Sequence, residues 1–338
     1  MSTIQEVAKL AGVSVGSVSH YMNGKKVRPE TAARIESAIE KLDYKANVLG
    51  KNLRSQQSFS IGILINDIDN VFTNSLCKNI SSNFQSVGFT TLILDYQGEM
   101  LVLKNKIEFL LSRRVDALVI VMSEQRIDNM EWLKDLKIPI VMIDNPILHE
   151  NFPCIVTDNK QSVYRVVSKM LSHGHERIGL VTPPDDTYVG EQRRLGWTTA
   201  YRDRNMVPDP DDLMVCSYDL DCGYQAAKTL LERGKVTGIF AANYYLAVGT
   251  LKAIFEKKLT VGKDIGFASF DDLGIVTNIT SISVTVVKQP IEKMAFFAVE
   301  TILNMFSNSH DNWDKGIKIF DSEIEFSSSI KRENNEKN

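Results

Sequence analysis

The stretch Thr3–Gly24, TIQEVAKLAGVSVGSVSHYMNG, decides how the amino end is read. Thr3 with Glu6 three residues on is the reciprocal capping pattern of a helix start. Ile4, Val7, Ala8 and Ala11 follow at helical spacing, and Gly12 supplies a left-handed stop. Ser14 opens a second helix through about Met22, ended by Asn23-Gly24, and Pro29 with Glu30 opens a third. The third helix gathers Ala32, Ile35, Ala38, Ile39 and Leu42 on one face. Two short helices across a glycine-containing turn, supported by a third, make a helix-turn-helix unit. Val7, Ala8, Val18, Tyr21 and Met22 are the expected core of this unit, which leaves the other face of the second helix free for insertion into a groove.

Charge divides the chain in the same place. Residues 1–57 hold nine Lys/Arg against five Asp/Glu, a net +4, whereas the remainder holds 30 against 37, a net −7. A basic head on an acidic body points to a polyanion met by the head alone. The 338 residues, 43% hydrophobic and 24% charged, suffice for two or three domains with their own cores. Cys77, Cys154, Cys216 and Cys222 form no C-x-x-C pair and read as reduced, mostly buried thiols. The opening MSTIQEVAKL spaces its apolar residues with polar ones, unlike a signal peptide, and no apolar run is long enough for a bilayer. These features lead to the expectation of a soluble cytoplasmic protein with no membrane partner.

After a polar linker, residues 45–57, the pattern changes. SIGILI (60–65) is a β-branched strand, a helix follows over about 72–87, and TTLILD (90–95) is a second strand. A helix over 101–112, DALVIV (116–121) and IPIVMID (138–144) continue the series. The rhythm restarts with CIVTDN (154–159) and RIGLVT (177–182), then LMVCSY (213–218), GIFAAN (238–243) and DIGFASF (264–270). Alternating strands and helices imply α/β lobes built on doubly wound parallel sheets. Two such lobes in succession create a cleft, with ligand groups expected beyond the carboxyl ends of the strands. Those ends carry Asp67, Asp95, Ser123, Asp144, Asn243 and Asp271.

With these blocks in order, and with RRLGW (193–197), LSHGHERIGLV (171–181) and VKQP (287–290) between and after them, the chain resembles the lactose-repressor (LacI/GalR) family of bacterial transcription factors. The resemblance runs over nearly the whole length. It implies an HTH DNA-binding domain at 1–44, a hinge at 45–57, and a periplasmic-binding-protein-like core at 58–330. Within that core, lobe 1 is expected at about 58–156 plus 290–315 and lobe 2 at about 157–285 plus 316–330. It also implies a homodimer on a palindromic operator. The polar tail SSSIKRENNEKN (327–338) has no leucine heptad that would support a tetramer.

The second helix matches the family's recognition helix, in which the first side chains meet base edges in the major groove. Val15, Gly16 and His20 fall on those positions. Val15 suits a thymine methyl, Gly16 permits close approach, and His20 can donate to guanine. Ser14, Ser17, Ser19 and Asn23 are candidate phosphate contacts, which position the head without reading sequence. Leu53 matches the hinge leucine that wedges into the minor groove, and Arg54 a neighbouring backbone contact. The hinge departs from the family at Ala46, Gly50 and Lys51, where Pro, Ala and Arg are usual.

For the effector, the resemblance nominates Arg193 as a hydrogen-bonding fork, Asp271 and Asp144 as acids for hydroxyls, Asn243 as an amide, and Tyr218 and Phe72 as aromatic faces, with Asp67 and Asn70 on the same edge of the first lobe. An Arg with acids and an amide suits a sugar or sugar acid, and a nucleobase is the alternative. The strand-end acids have an equally ordinary use as helix caps, and the two aromatics as core. Tyr244 stands where the family usually has Asp after the amide, a change able to alter ligand choice. Neither a P-loop nor G-x-S-x-G is present, and five histidines allow few catalytic schemes. No enzyme activity, cofactor or metal is expected; His173 and His175 are only an H-x-H pair. A free cytosolic sugar-binding protein would explain the lobes but not the basic head.

Overall fold

The computed structural model describes residues 3–22, 26–42, 57–122, 130–146, 149–307 and 315–332. The chain separates into two units, Met1–Ser58 and Phe59–Asn338. The expected hinge positions Ala46, Gly50, Lys51, Leu53 and Arg54, with Asn23 and Ser123, lie outside the described residues.

The first unit holds α1 (Ile4–Ala11), α2 (Val15–Met22) and α3 (Pro29–Lys41). At the start of α1 the reciprocal cap forms: Glu6 N donates to Thr3 Oγ1 at 3.3 Å and Thr3 N donates to Glu6 Oε2 at 2.7 Å. Gly12 ends the helix at φ 63°, a conformation that costs little only without a Cβ. Val7, Ala8, Ala11, Val18, Ile35 and Ala38 form the core, with Val13, Tyr21, Ile39 and Leu42 packed around them. Met22 does not belong to it. One turn past Val18, at the end of an eight-residue helix, it overshoots this small core and is 36% exposed; Tyr21 covers the core instead.

The second unit contains two six-stranded sheets. The first orders β2 (Thr90–Asp95), β1 (Ser60–Ile65), β3 (Ala117–Val121), β4 (Ile140–Ile143), β5 (Pro153–Thr157) and β11 (Gly316–Phe320), all parallel. The second orders β7 (Leu213–Val215), β6 (Ile178–Thr182), β8 (Gly238–Ala241), β9 (Gly266–Phe270), β10 (Thr285–Lys288) and β12 (Glu323–Glu325). Only β12 in this sheet runs antiparallel, against β10.

Helices cover both faces of each sheet, so the inner strands are apolar throughout rather than alternating. The first sheet packs α4 (Val71–Ser86) and α11 (Ile291–Ser307) on one face and α5 (Met100–Ser112) on the other. The second packs α6 (Asn159–Ser172) and α7 (Tyr188–Arg202) on one face, and α8 (Leu220–Arg233) and α9 (Tyr244–Glu256) on the other, with a short α10 (Gly274–Thr280) after β9. Gly196 sets the approach of α7 to α6, since a Cβ there would stand 2.4 Å from the Lys160 carbonyl oxygen.

The chain passes between the sheets three times, after β5, after β10 and after β11. One expectation is corrected here. Residues 316–320, placed by sequence with the second lobe, form β11 on the open edge of β5, with Gly316 beside Pro153 and Phe320 beside Thr157. α11 packs on the first sheet, so the chain leaving it completes that sheet's edge before crossing. The second sheet correspondingly keeps β10 up to Lys288.

Candidate functional site

In the first unit, Val15 is 41% exposed and Gly16 and His20 are exposed beside it, while Val18 on the opposite side is fully buried. The open face of α2 thus carries Val15, Gly16 and His20. Ser14 accepts from Ser17 N at 3.1 Å, and the two hydroxyls lie 2.9 Å apart, so both serve the start of α2 while remaining at its surface end. Ser19 is half-buried.

In the second unit, two aspartates occupy equivalent places in the two sheets. Asp144 follows β4 and Asp271 follows β9, the strand fourth from the β2 and β7 edges respectively. Both have left-handed backbone, φ 70° and 74°, a conformation that Asp adopts more readily than most non-glycine residues. Between them lies Arg193, on α7 and only 3% exposed. Its Nε donates to Asn159 Oδ1 at 2.9 Å, one terminal nitrogen donates to the Ala242 carbonyl, and the guanidinium stacks 3.5 Å from the Phe270 ring centre. Neighbouring Arg194 turns away and pairs with Asp185 at 2.7 Å.

Burial dominates the electrostatics. It raises the Asp144 carboxyl to about 6, with Arg193 opposing the rise and Asp271 adding to it. Burial also raises Asp271, against Arg193 and against hydrogen bonds from Gln289 Nε2 at 2.6 Å and Tyr244 N at 3.3 Å. The Arg193 guanidinium is lowered by burial and supported by both acids and by Tyr218. One cation therefore serves two buried carboxylates. Burial likewise raises the half-buried Tyr188 hydroxyl at the start of α7, with Asp144 next in effect.

Asn243 caps α9 by accepting from Leu246 N at 2.8 Å, which commits its oxygen and leaves its Nδ2. Among the described residues, Asn243 Nδ2 and Asp144 Oδ1 are buried and without a hydrogen-bond partner. A donor and an acceptor buried in this way each cost about 1–3 kcal/mol until something meets them.

The structure thus brings Asp144, Arg193 and Asp271 together, with Tyr218 in electrostatic reach, and Asn243 stands between Ala242, whose carbonyl Arg193 meets, and Tyr244, whose N donates to Asp271. Asp67, Asn70 and Phe72 have local duties. Asp67 Oδ1 accepts from Asp69 N at 2.8 Å, Asn70 caps α4 by accepting from Thr73 N at 3.1 Å, and Phe72 packs on the first sheet's core. Asp95 is held by the same turn, accepting from Ile68 N at 3.3 Å. Asn159, Tyr188 and Gln289 were not singled out by sequence. The VKQP block contains Gln289, but its significance is tertiary: Thr157 Oγ1 donates to Gln289 Oε1 at 2.8 Å, tying an interlobe crossover to Asp271.

His173 Nδ1 and His175 Nε2 lie 3.0 and 3.2 Å from one acceptor, the Ile330 carbonyl, and burial lowers the His175 pKa. Among the described residues no three His, Cys, Asp or Glu side chains gather as a metal site, and no helix is long and apolar enough to cross a membrane. A cavity of about 520 Å³, lined by Phe296, Phe297 and Phe320 with Glu292, Lys293 and Lys318, lies at α11 and β11, apart from the converging polar groups.

Residues 58–317 match the model of periplasmic binding proteins and the sugar binding domain of the LacI family, and residues 3–47 match that of bacterial regulatory proteins of the lacI family. The HTH-type transcriptional repressor PurR of Edwardsiella ictaluri (strain 93-146) is 26% identical over 316 residues, covering 92% of each chain. The ribose operon repressor of Escherichia coli (strain K12) is 25% identical over 308 residues, 90% of this chain and 93% of the relative. The Lac repressor dimer bound to operator and the anti-inducer ONPF shares the fold at TM-score 0.85 and 21% identity, over 98% of this chain and 99% of that one. A LacI family regulator from Enterococcus faecium with bound ribose aligns at TM-score 0.69 and 23% identity, over 80% and 98%. With the HTH unit and the two-lobed core each matched in its own stretch of sequence, the chain belongs to the LacI family of bacterial regulatory proteins.

Proposed function

We propose that this protein is a cytoplasmic repressor whose operator affinity is set by a sugar or sugar acid bound between its lobes. The observation that carries the effector class is the buried pair of unmet groups, Asp144 Oδ1 and Asn243 Nδ2, beside Arg193 and Asp271. A polyol hydroxyl donates to one and accepts from the other, so neighbouring hydroxyls satisfy the site as it stands. The Phe270 face is covered by Arg193, which leaves Tyr218 as the aromatic on which a nucleobase would have to stack. The ribose operon repressor is a relative by sequence and a ribose-bound regulator a neighbour by fold, which supports the same class; the purine repressor relative keeps the nucleobase as the competing reading.

In this reading residues 1–44 are the DNA-binding head and 45–57 the hinge, with 58–330 as the effector and dimerisation core. Val15, Gly16 and His20 of α2 meet bases, and Ser14, Ser17, Ser19, Asn23 and Arg54 meet the backbone, with Leu53 as the minor-groove wedge. Arg193, Asp144, Asn243, Asp271 and Tyr218 form the effector site, with Asp67, Asn70 and Phe72 on its first-lobe rim. The effector changes the relation of the two lobes, and a homodimer converts that change into a coupling free energy of about 1–3 kcal/mol at the operator. Retention of sheared genomic DNA by the full-length protein, alone and with a panel of sugars, sugar acids and purines, tests the whole reading. An enriched inverted repeat whose retention changes with a sugar is the expected result. A response to purines alone would replace the effector class, and no enrichment under any condition would end the DNA-binding assignment.

A further inference from the structure

Tyr245, the second residue of α9, spans the cleft. Its hydroxyl donates to the backbone carbonyl of Asp69, which lies on the turn after β1 in the other lobe. That turn is firm on its own side. Asp67 Oδ1 accepts from Asp69 N at 2.8 Å, Asp95 Oδ2 accepts from Ile68 N at 3.3 Å, and the Asn74 amide donates to the Ile68 carbonyl. On the other side the Tyr244 ring meets the Tyr245 ring edge-on, centroids 5.4 Å apart at 89°, while Tyr244 N donates to Asp271. Burial, and after it Asp67 and Asp69, raise the Tyr245 hydroxyl, so it remains a protonated donor at neutral pH.

The position of this bond follows from the topology. All three crossovers leave from one side of the sheets, at β5, β10 and β11. Asp69 and Tyr245 instead follow β1 and β8, which lie toward the opposite edges, β2 and β7. Asp144 and Asp271, after β4 and β9, sit between crossovers and tyrosine. Tyr245 is also only two residues from Asn243, about 3 Å along the helix axis. A ligand held by Asn243 and the two acids is therefore enclosed by the covalent crossovers on one side and the tyrosine bond on the other.

We propose that Tyr245 is a latch which pins the lobes across the cleft mouth, so that the effector must fit whole beneath it: a single sugar ring is accepted, and a disaccharide or glycoside is excluded. The size limit rests on the sugar reading of the site, whereas the latch does not. Tyr244, standing where the family usually has an acid, braces the latch ring and completes the wall.

The test uses the full-length protein and Tyr245→Phe, which keeps the ring and removes only the hydroxyl. Small-angle scattering without ligand measures the latch, and calorimetry with ribose, glucose, galactose and cellobiose measures the limit. The wild-type protein is expected to bind a monosaccharide of the panel and not cellobiose. Y245F is expected to scatter as a more open core, and to lose about tenfold in monosaccharide affinity, the scale of one hydrogen bond. It is also expected to gain measurable cellobiose binding. Identical scattering of the two proteins overturns the latch, and cellobiose binding to wild type as tightly as a monosaccharide overturns the size limit. If neither protein binds any sugar, the effector class has failed and with it the size limit, while the scattering still decides the latch.

Discussion

Arg193 combines two duties that its place in a family block does not separate. It belongs to the proposed effector site, and it is also the only cation through which Asp144 and Asp271 are neutralised among the described residues in contact with them. Removing it altogether would leave two buried carboxylates uncompensated, which costs about 3–5 kcal/mol when one partner of a buried pair is lost. Arg193→Lys is the sharper experiment. It keeps the charge and forfeits the planar fork on Asn159 and the Ala242 carbonyl, together with the stack on Phe270. The expected outcome is a loss of effector affinity of at least about tenfold, from one or two charge-assisted hydrogen bonds, with ligand-free operator binding retained. Titration of effector against operator-bound protein reads both.

Asp144 makes the same site sensitive to pH. Its folded value, about 6, lies above the ordinary carboxylate range, so the folded state holds a proton that the unfolded state has already released. Between roughly pH 4 and 6 this group makes the protein less stable as pH rises, because the native state binds more protons there. An effector hydroxyl donating to Asp144 favours the ionised form and so expels that proton. Effector affinity is expected to fall as pH drops below about 6, and Asp144→Asn to flatten that dependence. Calorimetry in buffers of different ionisation enthalpy would register the released proton; none released near pH 6 would mean that Asp144 does not meet the ligand as a carboxylate.

At the scale of elements, what could be read from sequence followed the range of the forces involved. The cap at Thr3 and Glu6 and the stop at Gly12 are local, and so are the apolar runs of β1 and β3; each formed where composition placed it. The strand-end positions of Asp144 and Asp271 were legible because the apolar runs of β4 and β9 stop just before them. β11 was not, since Gly316–Phe320 is half-exposed and its partner β5 lies more than 150 residues earlier. Asn70 and Asp67 share composition with ligand-binding residues, and a cap and a turn within three residues compete for the same side chains. Gln289 was passed over for the converse reason, its two partners Thr157 and Asp271 being remote in sequence. Replacing it by Ala should uncouple the crossover from the acid while sparing the sheets. Effector binding is expected to weaken by about 0.5–1.5 kcal/mol per lost hydrogen bond, with the melting temperature shifted far less than for a core truncation. On α2, His20→Ala should cost about 1–3 kcal/mol of operator affinity and relax preference at one base pair, without melting the head, because His20 is outside the core of Val7, Ala8, Val18 and Ile35. Binding to variant operators checks it.

For the whole molecule, the separation of charge sets how it finds and holds its site. Each chain carries a net +4 in its first 57 residues and −7 beyond. The acidic core opposes close approach to DNA anywhere except through the heads, which keeps non-specific binding weak and orients an encounter. Two heads of a dimer present about eight net positive charges, and if each neutralises a phosphate, the logarithm of operator affinity should fall with that of salt at a slope near −7. A dimer that came apart over the operator range would show half that slope at low protein concentration, because a single head would remain bound. The slope is expected to hold constant from the operator Kd up to micromolar protein, and to be the same with and without effector. An effector that acts on the fit between the paired heads and the half-sites leaves unchanged the number of phosphates a bound dimer covers. A slope that falls by half on adding effector would mean instead that the ligand releases one head while the other stays on DNA, and regulation would then work through the grip of a single head.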